Sequence, residues 1–213
     1  MSHLRITEIF LSLQGEAKSV GLPTIFVRLT GCPLRCKYCD TQYAFSGGEK
    51  MSIEAILEQV AELKVQRVCV TGGEPLAQAD CKLLLSRLCD TGYEVSLETS
   101  GALDICRVDP RVLRVIDLKT PGSGEVGKNK MTNLDCLRQN DQIKFVISGK
   151  EDYEWSRDLL KSHGLEQRCE ILFSPVHGQQ SPTQLADWIL QDRLNVRFQM
   201  QLHKLLWDEE PGR

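Results

Sequence analysis

Short β-rich runs alternate with helical periods along this chain. That alternation restricts the fold more than any other feature of its 213 residues. Runs of four to six residues rich in Val, Ile, Leu or Phe fall at 24–29, 67–71, 94–98, 115–118, 142–147, 170–174 and 195–199. Between them, 52–63 carries apolar residues at 53, 56, 57, 60 and 63, one face of a 3.6-residue period. Ser52 is its expected N-cap, and Glu54 suits the positive end of the helix dipole. The pattern returns at 79–91, with Leu83, Leu84 and Leu88 before a stop at Gly92, and again at 151–163 and at 183–191, where Pro182 suits the first turn. Strands that alternate with helices pair in parallel through crossovers. Two crossovers are short of helix: Pro110 interrupts the stretch after 98, and a Gly-rich loop follows Leu118. The spacing therefore predicts one α/β domain over 1–213, an abridged and incomplete parallel β/α barrel of about six strands, since a full eight-unit barrel needs ~250 residues.

Polar and glycine-rich segments follow the strand ends: Thr71-Gly-Gly-Glu-Pro75, Glu98-Thr-Ser-Gly101, Lys119-Thr-Pro-Gly-Ser-Gly124, Ser148-Gly149, Ser174-Pro-Val-His-Gly178 and Gln199-Met-Gln-Leu-His-Lys204. In parallel β/α architectures this end carries the active face.

Nine cysteines are too many for an ordinary cytosolic chain and odd in number, and nothing points to secretion, so a disulfide framework is not expected. Three cluster as Cys32, Cys36 and Cys39, spaced C-x3-C-x2-C in a loop over 30–41. Three thiolates fall one short of a structural zinc site, which would need a distant fourth Cys or His. A [4Fe–4S] cube held by three cysteines keeps one iron open for another ligand. Three unrelated buried cysteines are the remaining reading. With 26 basic and 29 acidic residues the net charge is −3, which disfavours a dedicated nucleic-acid binder. No apolar run approaches the ~20 residues of a membrane span, and the N-terminus lacks the apolar core of a signal peptide, so a soluble cytoplasmic protein is expected.

The triplet, with Tyr38 before its last cysteine, resembles the signature of the radical S-adenosylmethionine (SAM) enzymes, and Thr71-Gly-Gly-Glu-Pro75 resembles that superfamily's GGEP motif. Within it, Ile9-Phe-Leu-Ser-Leu-Gln-Gly-Glu16, Phe26-Val-Arg-Leu-Thr-Gly-Cys32, Cys39-Asp-Thr41, Glu98-Thr-Ser-Gly101, Asp117-Leu-Lys119 and Gln201-Leu-His-Lys204 resemble the 7-carboxy-7-deazaguanine synthase family, from about residue 5 to about 207. The resemblance implies ring contraction of 6-carboxy-5,6,7,8-tetrahydropterin to 7-carboxy-7-deazaguanine with loss of ammonia, in 7-deazapurine (queuosine) biosynthesis. It implies a [4Fe–4S] cluster on Cys32, Cys36 and Cys39, with SAM on the open iron and near Tyr38, Asp40, Gly73, Glu74 and Gly101. Leu13, Gln14, Gly15, Glu16, Arg28, Thr99 and His203 would meet the pterin, and Thr41 would bind Mg2+. Lys119, Ser148 and Gln199 are further candidates for SAM, and no side-chain nucleophile is needed. A reductant such as flavodoxin or ferredoxin and a homodimer are also implied, with no nucleic-acid or membrane partner.

The polar tail 207–213 does not align with the family, whose chain end approaches the substrate; Pro211 and the terminal carboxylate are the groups that would have to do so. The Gly- and Lys-rich loop 120–133 has no assigned role. Two alternatives stand beside this reading: a radical SAM activase that makes a glycyl radical on a partner protein, and a non-catalytic zinc-binding module. The first would lack the Leu-Gln-Gly-Glu segment, and the second leaves Gly-Gly-Glu-Pro unexplained.

Overall fold

In the structure, a computed structural model that describes residues 2–208, 210 and 212, the chain begins with an antiparallel hairpin of β1 (His3–Leu13) and β2 (Pro23–Leu29). A short strand, β3 (Glu49–Ser52), pairs antiparallel with the other edge of β1. From β2 onward every pairing is parallel, through β4 (Arg67–Gly72), β5 (Glu94–Thr99), β6 (Leu113–Asp117), β7 (Gln142–Ile147), β8 (Glu170–Pro175) and β9 (Arg197–Phe198). The sheet order is β3-β1-β2-β4-β5-β6-β7-β8-β9, so β3 and β9 are open edges among the described residues and the barrel is incomplete as expected.

All seven expected runs are strands. The expected count of about six is exceeded: the parallel part has seven strands, and β1 and β3 add an antiparallel flank. Neither shows a clean alternation: β1 buries Leu4 and Ile6 on one parity but is only half-buried from Thr7 to Phe10, and β3 reads Glu-Lys-Met-Ser and is held by its ladder to β1.

Helices α1 (Ile53–Glu62), α2 (Cys81–Asp90), α3 (Lys150–His163) and α4 (Pro182–Asp192) stand where the periodicity places them. The Ser52 hydroxyl caps α1 by accepting from the Ala55 N–H at 3.1 Å, and Ser181 does the same for α4. A fifth, α5 (Leu202–Trp207), is too short to leave a periodic signal. The crossovers from β5 to β6 and from β6 to β7 contain no α-helix; the second is three 3-10 turns, Pro121–Ser123, Val126–Lys128 and Met131–Cys136. No described helix is long and apolar enough to cross a membrane.

Strand side chains alternate between faces, and here the two faces differ sharply. Ile25, Val27, Leu29, Val68, Val70, Val95 and Leu97 pack with α1 and α2, while Ile116, Leu118, Ile143, Phe145, Ile147, Ile171 and Phe173 pack with α3 and α4. The opposite parity carries Arg28, Thr71, Glu98, Asp117, Lys144 and Ser174 into the concave face. The loop 14–22 crosses the base of that face. Ala17 is buried there against Val115 and Leu172, and its N–H and carbonyl are both held by the Gln199 amide, at 2.7 and 3.0 Å. The Lys18 N–H donates to Gln142 Oε1 at 3.0 Å. This plug seats the Leu-Gln-Gly-Glu segment inside the barrel.

The expectation of no disulfide is corrected at one place: Cys106 and Cys136 are bonded, 30 residues apart. Asn133 brings the two loops together by accepting from the Ile105 N–H and donating to the Gly101 and Leu103 carbonyls. That convergence is tertiary and leaves no mark in cysteine spacing. Beneath it lies the fully buried Arg114, whose guanidinium is paired with Asp141 and donates to the Ile105 and Cys136 carbonyls at 2.8 and 2.7 Å. Removing one partner of such a pair strands a buried charge. Asp141→Ala is expected to lower unfolding free energy by about 3–5 kcal/mol in a urea titration; a loss under ~1 kcal/mol would show the pair to be dispensable.

Candidate active site

The cluster loop leaves the end of β2 and is tied down on both flanks. The Gly31 N–H donates to the Ala44 carbonyl at 2.7 Å, and Leu34 is buried beneath the loop. The Arg35 guanidinium donates to the Cys32 and Leu34 carbonyls and lies 4.2 Å from the Phe45 ring centroid. A turn from the Cys39 N–H to the Cys36 carbonyl, 3.2 Å, curls the segment. Cys32, Cys36 and Cys39 are free and half-buried. Burial pushes all three thiols up, Cys36 to about 11, and Lys119 pulls each back down. Among the described residues no three His, Cys, Asp or Glu side chains converge on a single metal ion. Three soft donors spread over one loop, with a lysine beside them, fit the faces of an iron–sulfur cube; they do not form a closed zinc site.

Close backbone approach joins this loop to the Gly-Gly-Glu-Pro turn. A Cβ on Gly73 would lie 2.4 Å from the Gly31 carbonyl oxygen and 2.8 Å from Cys32 Cβ. The Gly72 backbone has φ +149°, and a Cβ there would lie 2.2 Å from the Leu29 carbonyl oxygen. The Glu74 N–H donates to the Gly31 carbonyl at 2.8 Å. The Glu74 carboxylate is fully buried and accepts from the Leu76 N–H, the Thr99 hydroxyl, and the Ser100 N–H and hydroxyl. Both Glu74 and Thr99 therefore stitch the turn after β4 to the turn after β5. The surface that this stitching offers to a ligand is backbone, including Gly101 at φ +72°. Tyr38 reaches across to the ends of β6 and β7, its hydroxyl 3.2 Å from Thr120 Oγ1 and 3.3 Å from the Val146 carbonyl; burial raises its pKa to about 12.

The other expected residues meet where the loop after β1 meets α5. Leu13 ends β1, and Gln14 and Glu16 are buried behind it. The Gly15 carbonyl accepts from the Leu202 N–H at 2.9 Å, and a Cβ on Gly15 would lie 2.2 Å from His203 Nδ1, so the His203 ring packs directly on bare backbone. Glu16 is paired with Lys144 and accepts from Gln201 Nε2 at 2.8 Å. Gln201 also donates to Asp40, 3.4 Å, which takes the Thr41 hydroxyl at 2.8 Å and Lys204 at 3.6 Å. One polar chain thus runs from the Leu-Gln-Gly-Glu segment to the end of the cluster loop. Gln14 Nε2 donates to Glu98 at 3.2 Å, and Glu98 also accepts from the Thr71 hydroxyl. Arg28 lies on the same face, paired through Nε with Glu8 at 2.6 Å and flanked by the Phe10 and Tyr43 rings.

Sequence reasoning missed Lys144, Glu8, Ser100 and the roles of Gln201 and Lys204. Lys144 Nζ lies between Glu16 and Asp117, 3.3 Å from Asp117 Oδ2, while Lys119 takes Asp117 Oδ1 at 3.1 Å. Burial opposes charge on both lysines, and the adjoining carboxylates reverse that and raise both pKa values. The available signal was parity: Lys144 is the charged residue at an inward position of an otherwise apolar run. Of the further SAM candidates, Ser148 caps toward Asp152 and Gln199 is committed to Ala17. Pro211 and Arg213 lie outside the described residues. A polar cleft of about 550 Å³ opens at the other end of the barrel, crossed by the Arg197–Glu170 ion pair and remote from these groups.

A half-barrel with three loop cysteines and a glycine turn against them defines the radical SAM class, and the radical SAM superfamily profile matches residues 26–118. More specifically, the chain belongs to the 7-carboxy-7-deazaguanine synthase family. It is 43% identical to the 7-carboxy-7-deazaguanine synthase of Koribacter versatilis, covering 97% of this chain and 98% of that one. It is 45% identical to the one of Chlorobaculum tepidum, covering 97% and 96%. Its fold matches the crystal structure of QueE from Escherichia coli with a TM-score of 0.77 at 24% identity, over 94% of this chain and 95% of that one. SuiB of Streptococcus suis, in a crystal structure bound to the precursor peptide SuiA, shares the fold at a TM-score of 0.56 and 16% identity, over 80% of this chain and 46% of that one.

Two substitutions test the geometry. Gly73→Ala sets a methyl against the Gly31 backbone and is expected to cost ~2 kcal/mol or more and to leave reconstituted protein short of iron by metal analysis. Iron content equal to wild type would contradict the close approach. Lys144→Met leaves Glu16 and Asp117 without their shared cation and is expected to lower kcat/KM by about 10²-fold, with Lys144→Arg recovering part of it. Full activity in the methionine variant would remove Lys144 from the site.

Proposed function

We propose that the concave face carries out the radical ring contraction of 6-carboxy-5,6,7,8-tetrahydropterin to 7-carboxy-7-deazaguanine, with release of ammonia, as a step of 7-deazapurine (queuosine) biosynthesis. The observation that carries this reading is the meeting of the Leu-Gln-Gly-Glu segment with α5, Gly15 against His203 and Glu16 against Gln201, with Gln201 reaching Asp40 of the cluster loop. The near full-length match to named synthases supports it over a glycyl-radical activase.

When bound, the cluster and SAM would supply reversible hydrogen-atom abstraction at C6 of the pterin. The protein's share is to bind, orient and exclude. Cys32, Cys36 and Cys39 hold the cluster, and Tyr38, Asp40, Gly73, Gly101 and the backbone at Glu74 line the SAM side. Gln14 and Glu16 suit the amide and amino edge of a pterin, with an acceptor and donors on the one and an acceptor pair on the other. Lys144 and Gln201 fix the orientation of Glu16 before substrate arrives. Arg28 keeps its terminal guanidinium nitrogens for the substrate carboxylate, while Glu8 steers it through Nε. Thr99 acts through Glu74, and His203 covers the Gly15 backbone where the ring would lie. The loop 14–22 closes the base against water.

Thr41, its hydroxyl beside the Asp40 carboxylate, would hold Mg2+, an oxygen-seeking ion that can neutralise charge on the substrate. A homodimer and a low-potential electron carrier of the flavodoxin or ferredoxin type complete the reading. The three half-buried cysteines need reducing surroundings to hold a cluster, which supports a cytoplasmic location.

Anaerobic turnover of reconstituted protein with SAM, reductant, Mg2+ and 6-carboxytetrahydropterin, followed by mass spectrometry, tests the assignment. The expected result is 7-carboxy-7-deazaguanine over many turnovers per SAM. Deoxyadenosine without that product would keep the cluster and overturn the substrate.

A further inference from the structure

One chain here asks for two redox states. Cys32, Cys36 and Cys39 are free thiols suited to a cluster, while Cys106 and Cys136 are joined in a disulfide. Surroundings that keep the first three reduced also act on the bonded pair. That pair is open to attack from solvent. Cys106 is exposed, as is its neighbour Arg107, and Cys136 is half-buried with its Sγ 3.4 Å from the Asn133 carbonyl oxygen. The remaining cysteines are less available: Cys69, Cys81 and Cys169 are buried, and burial raises their thiols. Cys89 is half-buried and unbonded.

The bond anchors a strap, residues 129–136, that touches the ligand-facing turns through backbone. Asn129 accepts from the Lys119 N–H at 2.9 Å and donates to the Lys119 carbonyl at 2.8 Å. The Lys130 N–H and the Asn133 amide both donate to the Gly101 carbonyl, at 3.0 and 2.9 Å. Just upstream, the Ser123 carbonyl accepts from the Lys37 N–H in the cluster loop at 3.0 Å. Gly101 lines the SAM side, and Lys119 is the cation that lowers the cluster thiols. The strap holds a 3-10 turn, Met131–Cys136, and no α-helix. Its order therefore depends on these few hydrogen bonds and on the covalent tie at Cys136. Segments held by so few contacts open locally at low cost, and a cross-link at one end opposes that opening.

We propose that Cys106–Cys136 is a site of reversible exchange with low-molecular-weight thiols, and that its redox state sets the affinity of the SAM side through the strap 129–136. The coupling rests on the reading of Gly101 as part of that side. In the first step a thiolate of the glutathione type attacks the exposed Cys106 sulfur. The bond to Cys136 breaks, and Cys136 leaves as a thiolate and takes up a proton. A second thiolate then attacks the mixed disulfide, forms the small-molecule disulfide, and releases Cys106, which is protonated in turn. The protein bond gains two electrons and two protons, and two small thiols lose them. In the bonded form the strap is ordered before SAM arrives. In the dithiol form SAM binding has to order it, which weakens binding.

The test equilibrates reconstituted holoenzyme anaerobically in glutathione buffers of varied reduced-to-oxidised ratio. Differential alkylation with mass spectrometry reads the state of the pair, and calorimetry reads SAM binding at matched iron content. Cys106→Ser/Cys136→Ser is the control. The pair is expected to convert as a unit between bonded and dithiol forms. The wild-type Kd for SAM is expected to be at least about fivefold weaker in the dithiol form, and the double variant to bind like that form at every ratio. A pair that stays bonded, or stays reduced, at every ratio would overturn the exchange site. Conversion with unchanged SAM affinity would make the bond a staple alone and overturn the coupling. A response to the buffer that persists in the double variant would assign the effect to other cysteines, with the same result. If the double variant does not hold its cluster, reduced wild-type protein alkylated at Cys106 takes its place, and SAM affinity equal to that of the bonded form overturns the proposal. Cluster-loaded protein that binds no SAM in either form would instead count against the reading of the SAM side, and the coupling would fall with it.

Discussion

Lys144 stands mid-strand in β7, with Ile143 and Phe145 on either side packed against helices, and its ammonium lies between Glu16 and Asp117 inside the barrel. An unpaired ammonium there would be untenable, because burial penalises the charge. The pairing therefore constrains everything it touches. It holds the Leu-Gln-Gly-Glu segment in the barrel. It leaves Asp117 shared with Lys119, whose field reaches the cluster cysteines. Through Glu16 it orients Gln201, which leads on to Asp40. Charge compensation, rather than apolar packing, positions the site.

That division follows from the alternation of strand side chains. One parity supplies two apolar layers against the helices and carries the stability. The other is free to be polar, because loop 14–22 and α5 cover it with hydrogen-bonded backbone rather than with apolar side chains. The missing helices after β5 and β6 serve the same end. Their places are taken by loops tied through Asn133, Arg114 and the Cys106–Cys136 bond, which set Gly101 and the 120–133 segment beside the cysteines.

The parallel half of the fold was legible in sequence, since each of its strands is a compact apolar run bounded by turn residues. The antiparallel flank was not: β3 owes its existence to backbone pairing with β1. The cysteine triplet and Gly-Gly-Glu-Pro were legible as motifs, and the structure adds the reason for the glycines, a backbone contact no side chain would permit. Glu74 and Thr99, expected at the ligands, also hold two turns together, a role that depends on partners distant in sequence. Lys144 was hidden for the same reason: its partners lie 128 residues and 27 residues away, beyond any local pattern.

The central claim is that a pterin lies between the loop after β1 and α5, with C6 toward SAM. Turnover of substrate deuterated at C6 tests it most directly, with the label read by mass spectrometry in deoxyadenosine and recovered SAM. The account predicts deuterium in both, alongside 7-carboxy-7-deazaguanine. Product formed while deoxyadenosine and SAM remain unlabelled would contradict it, because hydrogen would then have been taken from another position.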